Sequence, residues 1–169
     1  MEKESSMHVR PATDSDLSAI TAITNDVIRT TTAMWTDIEA TPSDRAAWMG
    51  QRITAGYPVL VAESMGEVIG FASYGPYRSG PPGYRYVVEH SVHVARDARG
   101  RGVGSHLVTA LLDHARLQGL WVMVGGIDAL STASLRMHAR LGFVEVGWQP
   151  GIGSKFGQKL DLVLMQRAI

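Results

Sequence analysis

The sequence predicts an α/β fold of the α+β kind, with one mixed central sheet of about seven strands flanked by helices. Three observations predict it. Two apolar runs, Val59 to Glu63 and Val68 to Tyr74, flank Met65-Gly66-Glu67 as the arms of an antiparallel hairpin would. The second half of the chain alternates strand, helix, strand, helix and strand. The helical segments carry apolar residues at spacings of three and four, so each has one face to bury against a sheet.

Taken in order, His8-Val9-Arg10 is a short strand, and Thr13-Asp14-Ser15-Asp16 is patterned as a helix-capping box. Leu17, Ile20, Ile23 and Val27 then mark an amphipathic helix. A Thr-rich linker, Arg29 to Ala40, contains Trp35. The next helix starts at Thr41-Pro42, a cap followed by Pro at the first helical position, and stops at Gly56. After the hairpin, Gly75 to Tyr84 is so rich in Gly and Pro that no regular structure is expected there. Tyr86 to Val94 is a strand, and a long helix with an apolar stripe (Val103, Leu107, Ala110, Leu111, Ala115) ends at Gly119. Trp121 to Ile127 is almost continuously apolar, as a central strand is. Ser131 to Leu141 is a helix, and Phe143 to Trp148 and Leu160 to Met165 are the last strands.

Composition narrows the function. The 169 residues suit a single domain over residues 7–169, behind six polar residues expected to be disordered. Lys and Arg number 16 and Asp and Glu 16, so no global charge draws the chain to nucleic acid or an anionic membrane. There is no Cys, which excludes disulfides, thiolate metal sites and a Cys nucleophile. No apolar run approaches the ~20 residues that span a bilayer. The polar amino terminus lacks the apolar stretch of a signal peptide, so a cytoplasmic protein is expected.

The sharpest local signal is Arg99-Gly100-Arg101-Gly102-Val103-Gly104, between a strand and a helix. Glycines let a backbone fold tightly and bring N–H groups to an anion, and the following helix aims its positive dipole end at the same place. A pyrophosphate suits such a loop. The glycines fall at alternate positions, so the dinucleotide fingerprint fails, and no Gly-Lys-Ser/Thr ending makes it a nucleotide triphosphatase loop.

Arg-x-x-Gly-x-Gly after a Val-rich strand resembles the coenzyme A loop of the GNAT superfamily of N-acetyltransferases. The likeness spans residues 8 to 167 and is strongest to the phosphinothricin and methionine sulfoximine (sulfone) acetyltransferases. It is carried by Thr31-Thr32-Ala33-Met34-Trp35, Gly56 to Ala62, Ala72-Ser73-Tyr74-Gly75, Val88 to Val94, Met137 to Phe143, Lys155-Phe156-Gly157 and Leu160-Asp161-Leu162.

The resemblance implies acetyl-CoA as co-substrate, a small-molecule amine as acceptor and a homodimer. Glu89, in an otherwise apolar strand, is the candidate general base, because an ammonium must lose a proton before it attacks. His138 is the second catalytic candidate; it shares a helix face with Ser134 and stands where many relatives have a Tyr. Val92, His93 and Val94 should offer backbone groups to the coenzyme arm. Residues Arg99 to Gly104, with Ser105, Ser131 and Ser134, complete the coenzyme set. Ser131 replaces a usual Asn but can still cap its helix. Arg78 and Arg85 match arginines near the acceptor pocket and suit an anionic amino acid. Trp35, Phe156, His90 and Ser91 fill out the acceptor side. His90 and His93 point to opposite faces of a strand, and no Cys or carboxylate set accompanies them, so no metal is expected. Two other readings stay open: acetylation of a polyamine, antibiotic or protein terminus, and a coenzyme A-binding module without turnover.

Overall fold

In the computed structural model, which describes residues 7–79 and 81–169, the chain runs β1 (His8–Pro11), α1 (Leu17–Thr30), α2 (Pro42–Thr54), β2 (Val59–Ser64), β3 (Glu67–Pro76), β4 (Val87–Val94), α3 (Val103–Leu117), β5 (Val122–Asp128), α4 (Thr132–Arg140), β6 (Val144–Lys155) and β7 (Gln158–Ala168). The expectation of disorder for residues 1–6 lies outside the described residues. The strands form one seven-stranded sheet in the order β1-β2-β3-β4-β5-β7-β6. Only β4 and β5 pair in parallel; every other neighbour is antiparallel.

Helix starts follow their caps. Thr13 and Asp16 form the expected capping box, Asp16 accepting from the Thr13 amide at 2.8 Å, and a single 3₁₀ turn leads into α1. Thr41 Oγ1 accepts from the Asp44 amide at 3.1 Å to start α2. α1 and α2 cover one face of the sheet, burying Ile20, Ile23 and Val27 against Phe71 and Val61. α3 covers the other, where Leu107, Leu111, Met123 and Tyr74 are fully buried. Each such side chain contributes about 1.5–3 kcal/mol of transfer free energy.

Two sequence expectations need correction. β3 runs through Gly75 to Pro76 and pairs with Glu89 and Val88, so regular structure reaches into the Gly/Pro segment, and a 3₁₀ turn forms at Pro82–Tyr84. Pro is tolerated at a strand end, where no further ladder bond is needed. β6 extends seven residues past Trp148, despite Pro150, Gly151 and Gly153. It is an edge strand, and its register shifts between Gln149 and Gly153, so Pro150 interrupts no essential pairing.

The parallel pair positions the site. β4 and β5 are bonded only at their starts, through Val87↔Val122, Val88↔Met123 and Glu89↔Val124. Beyond Glu89, β4 keeps β3 on one side and leaves its other edge without a partner strand. The sheet is thus open in its middle.

Candidate active site

The opening between β4 and β5 continues into a cavity of about 670 Å³, lined among others by Val92, Val94, Arg99, Gly126, Ser131 and Ser134. At one end lies the glycine loop. Gly100 and Gly102 adopt φ of +75° and +79°, values that side-chain-bearing residues avoid. Gly102 is the N-cap of α3, and the His106 amide bonds back to its carbonyl at 3.1 Å. The Val103, Gly104 and Ser105 amides before it therefore lack helical acceptors and add to the positive end of the helix. Arg99 is tied to the end of β4, its Nε donating to Val94 O at 3.1 Å. Arg45 also lines the cavity, and its buried Nε has no partner among the described residues. A strand edge with free backbone groups, a helix N-terminus and an orphaned buried donor fit the amide-bearing arm and the phosphates of acetyl-CoA.

The two helix glycines differ as test positions. A Cβ on Gly104 would lie 2.9 Å from Met137 Sδ and disturb the contact of α3 with α4. Gly102 has room, with nothing nearer than 3.7 Å. Gly102→Val is therefore expected to keep a cooperative melt and weaken acetyl-CoA binding about tenfold or more, or ~1.4 kcal/mol, by forcing the loop out of its left-handed conformation. Calorimetry showing an unchanged Kd would remove the loop from the coenzyme site.

Glu89 is the last β4 residue paired with β5, at the point where the strands part. Its Oε1 reaches to 3.3 Å from where a Gly126 Cβ would be. One side of the residue is open to solvent, yet partial burial pushes its carboxyl above the usual carboxylate range, and the Arg52 charge opposes that rise. Arg52 comes from α2 and sits flat against Gly75, whose added Cβ would fall 1.3 Å from Nη1. Gly75 is itself the β3 partner of Glu89. No carboxylate among the described residues forms an ion pair with this half-buried guanidinium.

The three histidines that line the cavity separate by face. His93 packs on Phe71, ring centroids 5.4 Å apart, and burial, then Arg45 and Arg99, push its pKa down to about 4. His90 turns the other way onto Gly125, its Nε2 2.9 Å from His138 Nε2, and the two rings pack against Phe143. His138 Nδ1 lies 2.8 Å from Ser134 O and 3.3 Å from Ser134 Oγ. Burial lowers the pKa of both rings, His90 to about 3. Among the described residues no group of three His, Asp or Glu is placed to hold a metal ion.

The remaining sequence candidates scatter. Ser91 lines the cavity, and Arg101 is exposed in the loop. Ser131 takes the N-cap position of α4, but its side chain makes no capping bond, contrary to expectation; at ψ of 64° the residue departs from the extended cap geometry, and its hydroxyl stays available to the cavity. Arg78 lies over the Tyr77 and Tyr84 rings and Arg85 over Tyr86, both exposed in the segment leading to β4. Trp35 packs onto Gly153 of β6, and Phe156 sits exposed in the β6–β7 turn; neither lines the cavity. Sequence reasoning missed Arg52, Arg45 and Asp128. The last joins the linker to β5 by accepting from Thr32 Oγ1. Nothing local marks these residues, because each reaches the site only by packing of distant segments.

The seven-stranded sheet, opened between β4 and β5 with a helix N-terminus nearby, defines an acyltransferase fold. The profile of the Acetyltransferase (GNAT) family matches residues 20–143, and the chain belongs to that family. It is 47% identical to the L-methionine sulfoximine/L-methionine sulfone acetyltransferase of Pseudomonas paraeruginosa over 162 residues, 95% of this chain and 94% of the relative. A phosphinothricin N-acetyltransferase from Alcaligenes faecalis is 41% identical, over 95% of this chain and 82% of its own length. The solved GNAT superfamily phosphinothricin acetyltransferase from Sinorhizobium meliloti, in complex with AcCoA, superposes with a TM-score of 0.93 at 30% identity, covering 96% of this chain and 88% of that one. The protein is an acetyl-CoA-dependent N-acetyltransferase.

Proposed function

We propose that the chain moves the acetyl group of acetyl-CoA to the α-amine of a small amino-acid analogue, phosphinothricin- or methionine sulfoximine-like, with Glu89 as general base. The observation that carries this reading is Glu89 at the parting of β4 and β5, its carboxyl raised by partial burial, with the unpaired Arg52 guanidinium beside it. The backbone of Val92 to Val94 and the loop from Arg99 to Ser105 hold the coenzyme, with Ser131 and Ser134 on the facing helix. Glu89 takes a proton from the acceptor ammonium, directly or through water. The freed nitrogen attacks the thioester carbon and gives up its second proton to water as the C–S bond breaks, and coenzyme A leaves as a thiolate that must gain a proton, the role assigned to His138. Arg52, with Arg78 and Arg85, binds the acceptor's carboxylate or phosphinate oxygens, since a guanidinium makes paired charge-assisted bonds to such groups.

A homodimer belongs to the same reading. β6 lies at the sheet edge and exposes Val144, Val146, Trp148 and Ile152, each more than half accessible. No helix of the described residues is long and apolar enough to cross a membrane, which is compatible with a cytoplasmic enzyme. Turnover over a panel of amino acids, sulfoximines, phosphinates, polyamines and aminoglycosides tests the acceptor, and light scattering of the same sample tests for twice the 18.3 kDa chain mass. Acetylation of spermidine or an aminoglycoside, with no turnover of any amino-acid analogue, would sink the acceptor assignment.

A further inference from the structure

The two imidazoles at the cavity floor make more close polar contacts than neutral rings have hydrogens to fill. His90 Nδ1 is 3.0 Å from the Val124 carbonyl oxygen, His138 Nδ1 is 2.8 Å from the Ser134 carbonyl oxygen, and the two Nε2 atoms are 2.9 Å apart. A carbonyl oxygen only accepts, so each Nδ1 needs a hydrogen. Neutral rings so arranged would turn two Nε2 lone pairs on each other. Shifting a hydrogen to either Nε2 strips that ring's Nδ1 and leaves its nitrogen lone pair against a carbonyl. Three contacts call for three hydrogens, and two neutral imidazoles carry two.

We propose that His90 and His138 act as one proton-binding unit, holding a single extra proton between their Nε2 atoms, and that this unit supplies the proton taken up by the departing coenzyme A sulfur. The inference rests on the acetyl-transfer reading above for its second half only. The rings are 8% and 2% accessible, and their Nε2 atoms face each other at 2.9 Å, which leaves no room for a water between them. His90 is fixed by Gly125, where a Cβ would fall 2.9 Å from its Cε1, and both rings are backed by Phe143. No carboxylate faces either ring among the described residues. Glu89 points to the other side of β4, toward Gly126 and Arg52, and His93 with Arg45 and Arg99 lies on the α1–α2 side of the sheet. Burial opposes charge on both rings, and the His138 charge lowers His90 further, to about 3, so the first proton is held by the three contacts alone and a second is resisted more strongly. The unit therefore carries one charge and not two.

Both nitrogens of His138 are committed, which makes Ser134 the exit. Its hydroxyl is 3.3 Å from His138 Nδ1, and the residue lines the cavity. The sulfur takes the Ser134 hydroxyl hydrogen, the Ser134 oxygen takes the hydrogen of His138 Nδ1, and the shared proton settles on His138 Nε2. The thiolate becomes a thiol, and the pair goes from one positive charge to none. It regains its proton from solvent before the next turnover. His90 is thus a positioning residue that acts through His138.

The test begins with the wild-type protein free of coenzyme, labelled with ¹⁵N in histidine. NMR should find both Nδ1 atoms protonated near neutral pH, both Nε2 atoms sharing one hydrogen, and the two rings losing it in one common step as pH rises. Two neutral rings, one with a bare Nδ1, would overturn the proposal. In His90→Asn the proton loses its second holder, so the fall of kcat at rising pH should move to lower pH. At neutral pH kcat should drop about tenfold with acetyl-CoA affinity unchanged. An unmoved pH profile in a folded His90→Asn variant would also overturn it. Failure of the wild-type enzyme to acetylate any amine would strike the function, while the NMR result still decides the charge of the pair.

Discussion

Glu89→Gln should lower kcat by roughly 10²- to 10⁴-fold, the usual contribution of a general base. The amide keeps the shape of the carboxylate but cannot accept the ammonium proton. Acetyl-CoA affinity should stay the same, because Glu89 lies at the parting of the strands and not in the loop before α3. The pH dependence provides a second readout. The base works when deprotonated, so kcat/KM should rise with pH through the Glu89 pKa. Partial burial has moved that pKa upward, so the rise falls above the ordinary carboxylate range, and Glu89→Gln should abolish it. A variant within a few-fold of wild type, with its acidic limb intact, would put the base elsewhere.

Arg52→Ala should raise KM for amino-acid acceptors about tenfold to a hundredfold, as expected for losing a charge-assisted bond of about 1.5–3 kcal/mol. Acetyl-CoA binding should not change. Arg52→Lys should fall between, restoring the charge without the paired geometry. Gly75→Ala provides an independent arm. It leaves Arg52 in the chain, but the new Cβ would occupy a position 1.3 Å from Nη1 and evict the guanidinium. Both changes should therefore impair the same substrates. Unchanged KM for every acceptor in Arg52→Ala would show that the guanidinium does not meet the substrate, leaving Arg78 and Arg85 to be tested in turn.

Much of the molecule was legible before folding because its signals are local. The Thr13 and Thr41 caps, the stripe of Leu107 and Leu111, and the hairpin about Gly66 each depend on residues within a few positions of one another. The Gly100 and Gly102 loop belongs with them, since left-handed backbone before a helix is a property of the segment itself. Edges were less legible. The expected strand ends at Trp148, whereas β6 continues through Pro150 and Gly153, because an edge strand needs pairing on one side only and a register shift absorbs the interruption.

The site divides the same way. Arg78 and Arg85 stand near Glu89 in the chain, and their guanidinium groups lie over the tyrosine rings of their own segment. Arg52 stands 37 positions before Glu89 in the numbering and sits beside it because α2 packs where β3 has a glycine. The sequence by itself determined the fold class, the glycine loop before α3 and the strand that carries Glu89, all of them written in short-range spacing and backbone preference. Only the tertiary structure decided that β4 and β5 part after Glu89, that Arg52 lies on Gly75, and that His90 meets His138 at 2.9 Å. Those are contacts between segments far apart in the chain, selected by which side chains fill the space between packed elements, and no local pattern encodes them.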